Sequence, residues 1–252
     1  MASAKSRLDV LLVDRGLVPS RERARAVILA GLVRVDGQVV SKAGTSVSPT
    51  ATLELIAPDH PYVGRGGIKL AHALDTFGIA VDGKRGLDVG ASTGGFTDVL
   101  LRRGARDVIA LDVGHNQLDW KLRSDSRVHV REGVNARALT TDDVPHQVDI
   151  VTIDVSFISL TYILPQIPKV LAPGGDVVAL VKPQFEVGRG DVGKGGIVSD
   201  PALHEAVLAR VAAAAVSLGF EQRAMTPSPI AGATGNREFL IHLRIHAVAR
   251  TD

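Results

Sequence analysis

A glycine-rich turn between a predicted strand and a predicted helix has the clearest chemical potential in this sequence. It lies in the stretch from Gly86 to Phe96, where Asp88 precedes the first glycine of the turn, Gly90. Glycine lets the backbone approach a ligand closely because it has no Cβ atom. At the carboxyl end of a parallel strand, such a turn forms a nucleotide-type pocket. The alternative interpretation is a plain link between a strand and a helix.

The spacing of these glycines argues against a dinucleotide enzyme. The dinucleotide fingerprint is G-x-G-x-x-G, but here Gly90 is followed by Ala91, Ser92 and Thr93 before the pair at 94–95. The carboxylate just before the turn is also a poor neighbour for a pyrophosphate, because like charges repel. A cationic ligand fits better. S-adenosylmethionine, which carries a sulfonium and an amino group, is such a ligand, so the turn indicates a methyltransferase.

A second acid supports the same pocket. Asp112 ends the next predicted strand and lies 22 residues after Gly90. An acid at about that distance is placed to bind the ribose hydroxyls of an adenosine. A turn or helix-capping role is the alternative for Asp112 alone. Together with the glycine turn, the ligand role is favoured.

Four charged residues near the ends of predicted elements could supply catalysis. They are two lysines and two acids, Lys69, Asp154, Lys182 and Glu238. A ribose hydroxyl is a poor nucleophile until it loses its proton, and a lysine can remove it only if its pKa falls towards neutrality. A second cation nearby and partial burial both lower that pKa. We predict that Lys182 is the base and that Asp154 positions it. Lys69 and Glu238 would tune it, although each residue alone is equally compatible with a surface charge or a salt bridge.

The rest of the chain after residue 63 alternates between strands and helices, which predicts a mainly parallel sheet covered on both faces. Trp120 is expected in the core with Leu118 and Leu122. The glycine-rich segment 188–196 is expected to order over the substrate. Strands are predicted at 86–89, 108–112, 128–131, 148–154, 176–182 and 238–245, and helices at 68–76, 96–103, 116–124, 160–170 and 202–218.

The amino-terminal part differs from the rest of the chain in its charge balance and in the order of its predicted elements. Residues 1–42 hold eight lysines and arginines against four acids, a balance of +4 that exceeds the +2 of the whole chain. Leucines at helical spacing predict a first helix, and Ser20 is a natural N-cap for a second. Asp36-Gly37 then predicts a hairpin. Clustered arginines favour binding to phosphates, whereas a solvated charged face is the simpler alternative.

The composition of the chain limits its structural class, and two prolines indicate a domain boundary. With 45% hydrophobic and 22% charged residues, the 252-residue chain is globular, and the absence of cysteine excludes disulfides and cysteine metal sites. No export signal or membrane span is recognised, so we predict a cytoplasmic protein without a metal. Pro58 and Pro61 place a linker at 58–63, between a first domain at 1–57 and a second at 64–252.

Two resemblances follow from these motifs. The segment from Arg7 to Lys42, with its helix–helix–hairpin order, resembles the alpha-L RNA-binding fold, the type named after ribosomal protein S-four. The Lys-Asp-Lys-Glu set resembles that of the FtsJ-like ribose 2′-O-methyltransferases. Joined to the alpha-L domain and to the motifs at 90–96 and 181–186, it looks like the TlyA family.

The resemblance implies a Rossmann-like class I methyltransferase with a mainly parallel seven-stranded sheet, preceded by a small α+β RNA-binding domain. It implies S-adenosylmethionine as cofactor and a cytidine 2′-hydroxyl of ribosomal RNA or ribosomal subunits as substrate. The implied catalytic residues are Lys69, Asp154, Lys182 and Glu238. Cofactor binding is predicted for Asp88, Gly90, Ser92, Thr93, Gly94, Gly95, Phe96, Asp112, Asn135 and Asp154, and RNA binding for Arg7, Arg21, Arg25 and Arg65.

Two other functions remain open at this stage. Members of this family often bear haemolysin names, so a pore-forming toxin is the main rival, although the membrane segment it needs is not recognised. An RNA-binding protein with an inactive methyltransferase scaffold is the third possibility. The sequence does not specify the modified nucleotide, the ribosomal subunit or the oligomeric state.

Overall fold

The computed structural model describes residues 5–18, 20–56 and 60–245, which form two compact units divided between Pro61 and Tyr62. Residues 57–59, which include the start of the predicted linker, lie outside the described residues. The domain limits at 57 and 64 therefore stay a prediction.

The first unit is a small α+β fold. Its helices α1 (Leu8–Asp14) and α2 (Arg21–Leu29) bury a shared apolar face. Ser20 caps α2 as predicted, because its hydroxyl accepts the Arg23 N–H at 3.2 Å. The strands are β1 (Ser6–Arg7), β2 (Val33–Val35), β3 (Gln38–Val39), β4 (Ser46–Val47) and β5 (Leu53–Leu55).

The predicted hairpin is confirmed. Strands β2 and β3 pair antiparallel, and both turn residues, Asp36 and Gly37, have positive φ angles of 48° and 80°. This is the backbone shape that a two-residue hairpin with a right-handed twist requires. Strands β1, β4 and β5 were not predicted, since two or three residues are too few to show a period.

The second unit contains the predicted seven-stranded sheet. Its strands are β6 (Arg85–Val89), β7 (Asp107–Asp112), β8 (Val128–Glu132), β9 (Val148–Ile153), β10 (Leu171–Val181), β11 (Phe220–Pro227) and β12 (Phe239–Ile245). Their order across the sheet is β11-β12-β10-β9-β6-β7-β8. All neighbours are parallel except β12, which is antiparallel to both β10 and β11. Strand β11, at the edge, was not predicted.

The helices of the second unit follow most of the predicted spans. They are α3 (Gly66–Phe77), α4 (Gly95–Arg102), α5 (Trp120–Arg123), α6 (Pro183–Glu186) and α7 (Pro201–Ser217). The α-helix predicted at 160–170 is wrong. Two short 3₁₀ turns, Leu160–Tyr162 and Leu164–Lys169, replace it, because Pro165 and Pro168 cannot donate the hydrogen bonds of an α-helix.

Trp120 is a second correction. Its side chain is 75% exposed, whereas Leu118 and Leu122 are buried. The helix α5 begins only at Trp120, so Leu118 lies before it and the three residues do not share one helical face. The predicted α5 was also too long at its start, where Asn116 has a φ of +57°.

The register of the sheet brings the ends of several strands to one edge. Val89 pairs with Ile153, Ala179 also pairs with Ile153, and Val181 pairs with Phe239. Residues just beyond these pairs therefore emerge together at the carboxyl ends of the parallel strands, the edge where open α/β sheets bind ligands. Within the part of the chain that the structure describes, no helix has the length and apolar character needed to cross a bilayer.

Candidate active site

Two ion pairs form the centre of the candidate site. Lys69 on α3 and Glu238 before β12 approach to 2.5 Å between Nζ and Oε2, and their side chains are only 10% and 3% exposed. Lys182, just after β10, places Nζ 2.6 Å from Oδ1 of Asp154, just after β9. The four predicted residues thus meet as two complementary pairs, and the register of β10 and β12 makes Lys182 and Glu238 neighbours.

Ser156 adds a hydroxyl to the second pair. The Lys182 ammonium donates to Ser156 Oγ at 3.0 Å, so that lysine is oriented from two sides. The start of α3 also lies at this place, since a methyl group built on Gly66 would be 3.8 Å from Asp154 Oδ2. Lysine held in one direction at the open edge of a sheet is suited to take a proton from a bound hydroxyl.

The glycine turn packs directly against the same residues. Gly90 has a φ of +84°, and a Cβ there would lie 2.4 Å from the backbone oxygen of Asp154. Gly94 has a φ of +96°, and a Cβ there would overlap the side chain of Leu122. Both positions need glycine for conformation and for space. Ser92 and Thr93 are exposed at the surface of the turn.

A small, narrow cleft opens beside the glycine turn. The Asp112 carboxylate there accepts the backbone N–H groups of Ser92 at 2.8 Å and Gly114 at 2.7 Å. Each carboxylate oxygen can accept another hydrogen bond, so Asp112 retains the capacity to bind ribose hydroxyls. The cleft combines apolar walls with a few polar groups, a lining typical of a cofactor site; it consists of Ala91, Ser92, Ala110, Asp112, Gly114, Gln117, Leu118, Val130 and Glu132.

Two predicted cofactor residues, Phe96 and Asn135, have other contacts in the structure. The Phe96 ring is 3% exposed and packs in the core next to Gly66. Asn135 does not line the cleft; its side-chain oxygen accepts the Arg137 N–H at 3.1 Å and caps a 3₁₀ turn. Gln117 and Glu132 line the cleft but were missed, because nothing in their local sequence distinguishes them from other polar surface residues.

Asp88 is the third predicted cofactor residue with a different environment. It is fully buried, and its carboxylate accepts the Thr97 N–H at 2.9 Å and the Thr97 and Thr152 hydroxyls at 2.7 and 3.0 Å. These bonds fasten the first turn of α4 to β6 and β9. Burial raises the pKa of Asp88 to about 7. Asp88 therefore stabilises the glycine turn by holding the helix that follows the turn against the sheet.

This raised pKa gives a testable pH dependence. Folded Asp88 holds its proton more tightly than the unfolded chain does, so its contribution to stability is lost as the pH rises through about 7. We expect Asp88→Asn, which resembles the protonated acid, to gain stability relative to the wild type between pH 5 and pH 8. Urea unfolding of both proteins at each pH measures this change. Parallel stability profiles would contradict it.

An aromatic residue that sequence analysis did not select stands next to Lys182. Phe157 is 90% exposed, and its φ of +64° is rare for a bulky side chain. Its ring lies 4.9 Å from that of Phe185, over which the Lys182 ammonium sits at 5.9 Å. A strained, exposed aromatic at such a place indicates a ligand contact. Only its position three residues after Asp154 could have suggested it.

The two aromatic residues line a groove of about 780 Å³. In the same lining, the Arg137 guanidinium covers the exposed Tyr162 ring at 4.8 Å. Aromatic faces with arginines are the surfaces on which single-stranded nucleic acids stack. The remaining lining comes from Ile158, Ser159, Thr161, Glu186 and Arg210.

Asn236 is a further residue whose role appears only in the structure. It is fully buried two residues before Glu238, and it accepts the Val198 N–H at 2.9 Å and donates to Gly196 O at 2.8 Å. These bonds connect the end of the glycine-rich segment 188–196 to the loop that carries Glu238. That this segment orders over the substrate stays a prediction.

The four arginines predicted to bind RNA are divided between the units. Arg7, Arg21 and Arg25 lie in the first unit, where their half-exposed guanidinium groups meet at Asp9. Arg65 is exposed at the start of α3 and donates to Ala231 O at 3.4 Å. All four are accessible to a ligand.

Comparison with known proteins agrees with both units. Residues 62–245 match the FtsJ-like methyltransferase family, and residues 6–53 match the S4 domain. The 16S/23S rRNA (cytidine-2′-O)-methyltransferase TlyA of Mycobacterium tuberculosis is 48% identical over 95% of this chain and 90% of its own. Hemolysin A of Brachyspira hyodysenteriae is 45% identical over 95% of this chain and 100% of its own.

A solved structure shows the same arrangement of elements. A Streptococcus thermophilus protein provisionally designated a hemolysin superposes with a TM-score of 0.76 at 47% identity, covering 97% of this chain and 90% of its own. The family match spans most of the chain and the relatives are similar over nearly all of it. The chain belongs to the TlyA family of FtsJ-like methyltransferases.

Proposed function

We propose that this protein transfers a methyl group from S-adenosylmethionine to the ribose 2′-hydroxyl of a cytidine in ribosomal RNA. The observation that carries the proposal is the meeting of the Lys182–Asp154 and Lys69–Glu238 pairs at the sheet edge that also holds the glycine turn. The name of the Mycobacterium tuberculosis relative supplies the cytidine and the ribosomal RNA.

The cofactor would occupy the edge between the glycine turn and the cleft that contains Asp112. Asp112 would accept the ribose hydroxyls, and Ser92 and Thr93 would donate from the surface of the turn. When bound, S-adenosylmethionine supplies a methyl group already activated by its positive sulfur.

Lys182 would then act on the substrate hydroxyl. A neutral Lys182 amine accepts the 2′-hydroxyl proton, and Asp154 and Ser156 hold its Nζ in a fixed direction. The resulting ammonium is the form that pairs with the Asp154 carboxylate in the structure. The buried Lys69–Glu238 pair keeps α3 fixed to the start of β12 beside this lysine.

The RNA would be held by aromatic and cationic surfaces. The groove from Phe157 to Tyr162 suits unpaired nucleotides next to the target, and the arginines of the first unit suit backbone phosphates. We propose residues 1–57 as the RNA-binding domain, 58–63 as the linker and 64–252 as the catalytic domain. With a ribosomal substrate, the protein would act in the cytoplasm.

Incubation with labelled S-adenosylmethionine and separated ribosomal subunits tests the proposal. We expect label in ribosomal RNA, and a mass-mapped digest should find it on a cytidine ribose. RNA binding without incorporation would indicate an inactive scaffold, and erythrocyte lysis without incorporation would indicate the toxin that the relatives' names suggest. Either of these results would overturn the proposal.

Cofactor binding has its own test at Asp112. Asp112→Ala removes acceptors for the ribose and also releases Ser92, so the dissociation constant for S-adenosylhomocysteine should rise about 10- to 100-fold. Calorimetric titration measures it. The exposed Asp142→Ala, outside the cleft lining, is the control and should bind normally. Equal affinities in the two variants would remove Asp112 from the cofactor site.

A further inference from the structure

A single buried carboxylate gathers the arginines of the first unit. Asp9 is completely covered, although it carries a charge. Arg7 binds it through two hydrogen bonds, from Nε at 2.9 Å and from Nη2 at 3.0 Å. Arg21 and Arg25 donate to its Oδ2 at 3.2 and 3.4 Å. Hydrogen bonds from these arginines hold the pKa of Asp9 far below its usual range.

The three guanidinium groups remain open to solvent on their outer side. The side chains of Arg7, Arg21 and Arg25 are 50%, 51% and 54% exposed. Each guanidinium has five N–H donors and gives one or two of them to Asp9. One carboxylate leaves this group of three cations with a net charge of +2, which suits a phosphodiester.

Long arginine side chains ordinarily lose rotamer freedom when they bind, and this loss weakens binding. Here they come from two different places in the sequence, the start of α1 and the first turns of α2, and Asp9 fixes them together before any ligand arrives. A preorganised group of guanidiniums binds a phosphate more tightly than the same charges on free side chains.

We propose that Asp9 is a positioning residue that assembles Arg7, Arg21 and Arg25 into one preformed binding site for RNA backbone phosphate. This inference rests on the proposed function and deepens it. It has an unusual consequence: removing a negative charge from the RNA-binding unit weakens its binding to a polyanion.

The test compares Asp9→Asn with Asp14→Asn in the full-length chain. Asp14 is an exposed residue of the same helix, so both variants gain the same net charge. We expect Asp9→Asn to bind ribosomal RNA about 10-fold more weakly than the wild type, with a salt slope reduced by about one. Asp14→Asn should bind as the wild type does or slightly more tightly. Filter binding at several salt concentrations measures both quantities.

The outcomes separate this inference from the function it rests on. If the wild type itself binds no ribosomal RNA, the proposed function fails. If the wild type binds and the two variants bind alike, the role of Asp9 alone is overturned. Unchanged affinity for S-adenosylhomocysteine in Asp9→Asn checks that the second unit is intact, and thermal unfolding followed by circular dichroism checks the first.

If Asp9→Asn does not fold, a second pair of variants tests whether contact with Asp9 positions the arginines for RNA binding. Arg25→Lys keeps its charge but loses the Nε donor to Asp9, whereas Arg34→Lys changes an exposed arginine of β2. We expect Arg25→Lys to weaken RNA binding about 3-fold more than Arg34→Lys does. Equal effects would overturn the inference.

Discussion

Lys182→Ala should lower the rate constant of methyl transfer by about 10²- to 10⁴-fold, the usual contribution of a general base. The geometry supports this size of effect, because Lys182 Nζ is held by Asp154 at 2.6 Å and by Ser156 at 3.0 Å, next to the exposed Phe157. Lys182 does not line the cleft that contains Asp112. The affinity for S-adenosylhomocysteine should therefore stay within a few-fold, measured by calorimetry beside single-turnover transfer to ribosomal RNA.

Two control variants sharpen this prediction. Lys169→Ala removes an exposed lysine and should leave transfer unchanged. Lys182→Arg keeps a positive charge but cannot accept a proton near neutral pH, so it should be nearly as inactive as Lys182→Ala. Activity restored by arginine would mean that the charge of Lys182 matters and its basicity does not. A large loss of cofactor affinity in Lys182→Ala would assign the lysine to the cofactor pocket instead.

Much of the fold could be predicted because its elements carry local patterns. Strand β7 ends in Asp112 after an apolar run, β6 carries Asp88 one residue before its end and leads into the glycine turn, and the hairpin turn at Asp36-Gly37 has the residues that its backbone demands. The edge strand β11 was missed because its sequence, from Phe220 to Pro227, is mixed and only partly buried. The α-helix predicted at 160–170 does not form, because the apolar spacing that indicated it is interrupted by two prolines.

The four charged residues of the candidate site could be selected from the sequence, but the ion pairs that they form could not. Sequence order separates Lys69 from Glu238 by 169 positions, so only the antiparallel addition of β12 beside β10 reveals that they form a buried pair. For Asp88, in contrast, the sequence suggested a role but did not reveal its partners. Its place before the glycines suggested a ligand, yet the hydroxyls of Thr97 and Thr152, which occupy its oxygens, come from other elements. Burial and partners are properties of the assembled sheet.

The pairing of Lys69 with Glu238 leads to the second large effect. Because both side chains are at least 90% buried, Glu238→Ala leaves an ammonium group inside the protein without its counter-charge. Removal of one partner of a buried pair typically costs about 3–5 kcal/mol of unfolding free energy. Urea unfolding measures this loss, and transfer activity should fall with it. By contrast, Asp75→Ala breaks an exposed pair with Arg103 and should cost at most about 1 kcal/mol.

A double variant separates the structural role of this pair from its chemical role. Lys69→Met combined with Glu238→Leu replaces both charges with apolar side chains of similar volume, which often restores the stability of a buried pair. We expect the unfolding free energy of the double variant to return towards the wild-type value while methyl transfer stays low, because the charged pair beside Lys182 is gone. If transfer recovers together with stability, Lys69 and Glu238 act only by holding α3 against β12, and the catalytic set reduces to Lys182 and Asp154.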